Sequence, residues 1–237
     1  FFDSIFQIDY IFCLSVNIKE YPNFNKVADF IKNCTEIISF PLIPEIHLRV
    51  LTGRSKLYYS NESEFTRYGI SDPFFLFCWP GGQALSRFII DNREIVKGKR
   101  VLVIGIGCGV EGIASVIAGS RYVLGSDVDI NALVSSFINM EINKIKFDLT
   151  DRDFIFSSCN NFDVILAGDM FYDYELVDSI LNWLKELKDN GKMVLCADPS
   201  RGRICPEKIE ILGEYEVIKD GEIISGLTVN CKVFTIK

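Results

Sequence analysis

Val101-Leu-Val-Ile-Gly105-Ile-Gly107-Cys-Gly109-Val-Glu-Gly112 is the stretch on which the reading of this chain turns. Val101 to Gly105 have strand character and run into a glycine loop, and Ile113 to Ala118 read as the helix that follows. Glycine lets the backbone turn tightly and approach a ligand with no Cβ in the way. The helix start then offers unpaired N–H groups to that ligand. A second apolar run, Tyr122 to Ser126, ends at Asp127, where an acid can hold the two hydroxyls of a ribose. Strand, glycine loop, helix, strand and acid, in this order, spell a nucleotide-cofactor site.

The alternation continues on both sides of this unit. Gly82 to Val96 reads as a helix with Ala84, Leu85, Phe88 and Ile89 as its apolar stripe. Strands are expected at Arg100–Ile104, Tyr122–Ser126, about Lys146–Thr150, Phe162–Ala167 and Lys192–Ala197. Helices are expected between them at Val110–Ala118, Asn131–Ile142 with Asp129 as cap, and Glu175–Lys188 closed by Asn190-Gly191. Pro206 suits the first position of a further helix. Tyr215–Lys219 and Thr228–Ile236 read as two strands of a hairpin. The fold class is therefore α/β, a Rossmann-like doubly wound sheet finished by an antiparallel hairpin, over residues 71–237.

Residues 1–70 lack this alternation and read as an N-terminal extension, with one helix over Asn25–Cys34. The whole chain has 237 residues, 49% of them hydrophobic, enough for a substantial core. Its net charge of −7 argues against a nucleic-acid partner, which would demand a basic face, and suits a basic protein surface. The 8 cysteines show no CxxC and no zinc spacing, which fits reduced, buried thiols and no metal site. His47, the single histidine, lies in Pro44-Glu-Ile-His-Leu far from the glycine loop and reads as structural. Asp3, Asp9 and Lys19 break up the one N-terminal apolar stretch, so no membrane span is expected.

Trp79-Pro-Gly-Gly-Gln-Ala-Leu-Ser-Arg-Phe88, the glycine loop and Gly168-Asp-Met-Phe-Tyr-Asp173 together resemble the lysine methyltransferases of methyltransferase family 16. Pro44-Glu-Ile-His-Leu-Arg-Val-Leu-Thr52, Ser71-Asp-Pro73, Ala197-Asp-Pro-Ser-Arg201 and Ser225-Gly-Leu-Thr228 add to the likeness. It runs from about Ile43 onward, and a doubly wound sheet ending in an antiparallel hairpin is the seven-stranded shape of methyltransferases that use S-adenosylmethionine. The resemblance implies that Gly105, Gly107 and Gly109 line the methionine side of this cofactor. It places Asp127 on the ribose, Asp153 at the adenine amino group and Trp79 beside the cofactor. Asp169 and Tyr172 would form the Asp-x-x-Tyr motif where a target lysine meets the methyl group. Within the family the chain resembles members acting on the beta subunit of electron transfer flavoprotein, which implies that protein partner. Animal members work in mitochondria and bacterial ones in the cytoplasm, so the mitochondrial matrix is expected, or the cytoplasm in a bacterium. Two positions depart from the pattern: Val103 stands where the family shows an acid, and Ile106 where it shows a small polar residue. An acid at 103 would help hold the cofactor's ammonium, which valine cannot do.

Methyl transfer from a sulfonium is an in-line displacement that asks for alignment and a neutral amine rather than for histidine. Positioning of this kind supplies on the order of 7–11 kcal/mol. A lysine with a pKa of about 10.4 arrives charged and must lose its proton, which a partly dry site favours. In this scheme Asp169 first attracts the ammonium, and the Tyr172 hydroxyl then orients the lone pair. Other readings stay open at this point. Asp169 also suits a helix cap, Tyr172 and Trp79 a core, and Asp148, Asp151 and Asp153 compete for one role. Gly107-x-Gly109-x-x-Gly112 satisfies the GxGxxG of an NAD(P)-dependent oxidoreductase. Counted from the strand, however, the first glycine is Gly105 and the third position is Val110. Nor does the sequence offer a convincing acid or base for hydride transfer. Val103 argues for a third reading, a catalytically silent methyltransferase-like interaction protein.

Overall fold

Alternate residues of each central strand serve two separate cores. Val101 and Val103 are buried on one side of β3 (Arg100–Ile104), Leu102 and Ile104 on the other. This period of two is what a strand covered on both faces requires. The computed structural model describes residues 15–60, 62–68, 70, 73–219 and 226–237. Ser71-Asp72, Ser225 and Cys13 lie outside the described residues, as does the start of the N-terminal extension.

The chain first forms helix α1 (Phe24–Cys34) and the strands β1 (Glu36–Phe40) and β2 (Ile43–Val50). Helix α2 (Pro80–Asp91) leads into β3, then α3 (Val110–Ile117), β4 (Tyr122–Ser126) and α4 (Ile130–Asn143). Next come β5 (Asp148–Thr150), β6 (Val164–Gly168), α5 (Val177–Asp189), β7 (Met193–Asp198), β8 (Ile209–Ile218) and β9 (Thr228–Ile236). A 7-stranded sheet runs β5-β4-β3-β6-β7-β9-β8, with β9 antiparallel to both of its neighbours and the other pairs parallel. Helices α2 and α4 bury Leu85, Ile89, Leu133 and Val134 in the core on one face. Helix α5 covers the other face with Val177, Ile180, Leu181, Leu184 and Leu187. The doubly wound sheet with its closing hairpin is thus present.

Several boundaries differ from expectation. Helix α2 begins two residues earlier, because Pro80 at its first turn already has the backbone angle a helix needs. It stops at Asp91, where the Asn92 backbone and side chain both bond back to the Phe88 carbonyl and a separate 3-10 turn follows at Arg93–Ile95. Pro206 opens only a 3-10 turn (Pro206–Lys208). Strand β8 starts right after it, six residues before the expected Tyr215. Its start carries two apolar residues, Ile211 and Leu212, side by side and exposed, so it shows no alternation of a half-buried strand there. Strands β5, β6 and β7 and helix α5 shift by one or two residues.

Residues 15–60 hold a β-hairpin, β1 with β2, that the sequence did not announce. Phe40, Ile43, Ile46, Leu48 and Val50 from it are buried with Val110, Ile113 and Ala114 of α3. The Asn143 side chain accepts from the His47 N–H (2.9 Å) and donates to the His47 carbonyl (2.6 Å), pairing with β2 much as a strand would. His47 itself bonds Ser39 across the hairpin, the structural part expected of it. Among the described residues no helix is long and apolar enough to cross a membrane, and no cluster of ligating side chains could hold a metal. Their 7 cysteines are free, six buried and Cys205 exposed.

Candidate functional site

The glycine loop sits at the carboxyl ends of β3 and β4, where open parallel sheets bind their ligands. Gly105 (φ 65°), Gly107 (φ 51°) and Gly109 (φ 91°) all have left-handed backbones. Such angles cost a residue with a Cβ and are free for glycine. A Cβ on Gly107 would meet only the Gly105 carbonyl oxygen at 3.8 Å, so that side of the loop is open. A Cβ on Gly105 would come within 2.9 Å of the Met170 sulfur. The loop is anchored from behind by α4: the Ser136 hydroxyl donates to the Gly107 carbonyl (2.9 Å) and the Asn139 side chain to the Cys108 carbonyl (2.8 Å). Asn139 also accepts from the Arg49 N–H of β2 at 2.7 Å. One buried amide thus ties hairpin, helix and loop together.

Asp127 lies one residue beyond β4. Its Oδ2 accepts from the Gly107 N–H and its Oδ1 from the Asp129 N–H, both at 3.0 Å. Burial raises its carboxyl above the usual range, while these two N–H groups pull it back. Each oxygen keeps a lone pair for a sugar hydroxyl. The open glycine face, the cradle a side chain would fill and this adjacent acid fit an adenosyl group.

Asp153 is exposed, three residues beyond β5, and its Oδ1 accepts from the Ile155 N–H at 2.8 Å. Its two competitors are committed elsewhere: Asp151 takes the Tyr21 hydroxyl (2.8 Å) and Asp148 the Tyr122 hydroxyl (3.0 Å). The segment stays close to the cofactor strand, since the Ser126 hydroxyl donates to the Arg152 carbonyl at 2.6 Å. Trp79 caps α2 and is half-buried between Phe74 and Phe77, its indole N–H donating to the Phe74 carbonyl at 2.9 Å. Its place at the start of α2 carries it to this end of the sheet.

Asp169 follows β6 with φ 54°, a strained angle for a residue with a side chain. Its Oδ1 takes the Arg201 guanidinium at 2.6 Å and its Oδ2 the Gly82 N–H at 3.1 Å. Arg201 also holds Asp198 at 2.7 Å, so one guanidinium bridges two carboxylates after β6 and β7. Burial pushes Asp169 up to about 6 in spite of Arg201 beside it. Its carboxylate is therefore a brace joining α2 to two strand ends rather than an open hook. The glycine pair in Trp79-Pro-Gly-Gly has its reason here: a Cβ on Gly81 would overlap the Asp169 carboxylate and come within 2.9 Å of the Ala197 carbonyl. Phe171 is wholly buried, whereas Tyr172 is 62% exposed at the mouth. Tyr174 and Leu176 continue the exposed lip, with Asp173 and Glu175 between them.

Glu111, Ser136, Asn139, Asp198 and Arg201 belong to this end of the sheet too, although the sequence alone assigned none of them a role. Polar residues inside an apolar helix stripe, such as Ser136 and Asn139, were the available signal. Val103 is completely buried in the core on one face of β3.

A family model described as lysine methyltransferase matches residues 74–208. The electron transfer flavoprotein beta subunit lysine methyltransferase of Xenopus laevis is 43% identical, over 73% of this chain and 70% of that protein. The Homo sapiens protein of the same description is 36% identical over 78% of this chain and 71% of its own. Among solved structures, a Streptococcus mutans protein assigned to the SAM-dependent methyltransferases matches with a TM-score of 0.52. It shares 12% identity over 85% of this chain and 55% of that one, which speaks for the fold.

Proposed function

The chain belongs to the lysine methyltransferase family and uses S-adenosylmethionine to methylate protein lysine, and on that premise we propose that it acts on the beta subunit of electron transfer flavoprotein. The observation that carries the reading is the joint one: an open glycine cradle beside Asp127, and an Asp169-x-x-Tyr172 corner with its tyrosine exposed at the mouth. Relatives named for that substrate cover most of this chain, which supports the choice of substrate. Neither an oxidoreductase nor a silent interaction module is favoured by this membership.

Bound S-adenosylmethionine supplies a methyl group activated on a sulfonium. In the proposed scheme Gly105, Gly107 and Gly109 leave room for it, Asp127 holds its ribose, and Asp153 and Trp79 flank it. Asp169 is a positioning residue that fixes the corner from which Tyr172 projects. The Tyr172 hydroxyl then meets the lysine amine and orients its lone pair once the proton has gone to water. The lip from Asp173 to Glu175 offers negative charge to a lysine-bearing segment, and charge of this kind steers encounter. The proposed compartment is the mitochondrial matrix, or the cytoplasm in a bacterium.

Incubation with radiolabelled S-adenosylmethionine and purified electron transfer flavoprotein tests the reading. Label is expected on lysines of the beta subunit. Label on another protein of a mitochondrial lysate, and none on the flavoprotein, would keep the enzyme class and discard the substrate.

A further inference from the structure

Glu111, in the first turn of α3, is a buried acid for which the scheme above has no use. It is 5% exposed, and among the described residues no lysine or arginine pairs with it. Its carboxyl reaches a slot made by two glycines. A Cβ on Gly168 would clash with Oε1, and one on Gly82 would stand 3.2 Å from it. Gly168 ends β6, which pairs with β3, the strand that carries the glycine loop. A carboxylate buried there with its own backbone N–H as a partner but, among the described residues, no cation costs several kcal/mol unless it is neutral.

The direction of the ligand supplies that cation. Asp127 after β4 is the sugar's partner, and the amine enters at Tyr172 after β6. The amino-acid end of the cofactor must therefore run from β4 past the glycine loop toward β6, which is where Glu111 lies. Its α-amino group, with a pKa of roughly 8, carries positive charge at neutral pH. The other acids here are committed: Asp127 to two backbone N–H groups and Asp169 to Arg201 and the Gly82 N–H.

We propose that Glu111 is the counter-charge for the ammonium of the methionine part of S-adenosylmethionine, filling from α3 the place that buried Val103 on β3 cannot fill. This rests on the function proposed above and adds to it the residue that recognises the cofactor's amino-acid end. Burial holds the Glu111 carboxyl up at about 8, so it carries its proton near neutral pH. The titratable groups facing it are Asp169 beyond β6, backed by Arg201 and Asp198, and the Cys78 thiol ahead of α2, which lies beside Cys108. Asp169 adds to the cost of a charge at Glu111, whereas the Cys78 thiol, held up by its own burial, stays neutral. Arrival of the ammonium reverses that cost: the Glu111 O–H bond breaks, its proton leaves to buffer, and the carboxylate pairs with the cation.

Calorimetry of the full chain at pH 7 with S-adenosylhomocysteine, in phosphate and in Tris, counts protons released on binding. Wild type is expected to release close to one proton per ligand, about nine-tenths from a group near 8. Glu111→Gln is expected to release none and to bind S-adenosylhomocysteine at least about tenfold more weakly. 5′-Methylthioadenosine, which lacks the amino-acid end, should bind both forms equally and with no proton release, and so reports an intact adenosyl site. Wild type binding S-adenosylhomocysteine with the same heat in both buffers overturns the proposal, whatever the variant does. Equal affinity of the two forms for S-adenosylhomocysteine overturns it as well. Wild type that binds neither compound would instead undo the proposed function.

Discussion

Asp169 and Glu111 illustrate how much a single side chain's surroundings alter its part. Both are buried acids at one corner, yet Asp169 is clasped by Arg201 and the Gly82 N–H while, among the described residues, no cation clasps Glu111. Loss of the Tyr172 hydroxyl leaves the brace intact. Tyr172→Phe is therefore expected to bind S-adenosylmethionine as wild type does and to lose methyl transfer by roughly 10²-fold or more, the range of a positioned polar group. Asp169→Ala should lose transfer too, but its melting temperature should also fall, because the start of α2 loses its anchor; full methylation by both variants would refute the roles assigned to this motif. Burial also sets a pH dependence. Glu111 has an ordinary value of 4.5 and stands at about 8 when folded, so the folded chain holds a proton that the unfolded chain has lost. Stability contributed at this site is thus whole near pH 4.5 and falls as pH rises toward 8. Without ligand, Glu111→Gln should melt close to wild type at pH 5 and at least about 5 °C above it at pH 8. A gap that does not widen over that interval would deny the raised carboxyl.

At the scale of elements, Asn139 of α4 links the glycine loop to the N-terminal hairpin. It is wholly buried, so Asn139→Ala strands the Arg49 N–H and the Cys108 carbonyl without partners. Each buried orphan costs about 1–3 kcal/mol. Urea denaturation should report a loss of roughly 2–5 kcal/mol, and calorimetry a weaker hold on the cofactor because the loop is no longer fixed. Unchanged cofactor affinity in a destabilised variant would show that the hairpin stabilises the fold without shaping the site. The same elements explain what was legible beforehand. Strands β3, β4 and β9 could be bounded to the residue because apolar runs end there at glycine or charge. The β1–β2 hairpin was hidden because Pro41 and Pro44 interrupt the strand pattern, and because the partner that buries Ile43, Ile46 and Leu48 lies some seventy residues on, in α3. Asp127, the glycines and Asp169-x-x-Tyr172 sit at strand ends, where sequence order alone places them together. Arg201 and Glu111 reach the same corner through side chains whose direction depends on packing that no local pattern encodes.

At the scale of the molecule, a net charge of −7 and an acidic, aromatic lip at the mouth set up long-range attraction for a lysine-rich surface. Exposed charges separated by more than a Debye length of about 10 Å at 0.1 M salt cease to feel one another. Raising ionic strength from low to high should therefore raise KM for the protein substrate several-fold and leave kcat nearly unchanged. A KM that does not respond to salt would assign recognition to the apolar side chains of Tyr172, Tyr174 and Leu176 instead.

The position of β9 inside the sheet bears on the order in which the chain can assemble during synthesis. Strand β8 is made before β9 but has no seat of its own, since β9 separates it from β7. Until the later segment emerges from the ribosome, the β7 border stays open and β8 has nowhere to go. Exposed borders of this kind invite pairing with other chains. A nascent chain stalled just short of Thr228 is thus the form most in need of a chaperone.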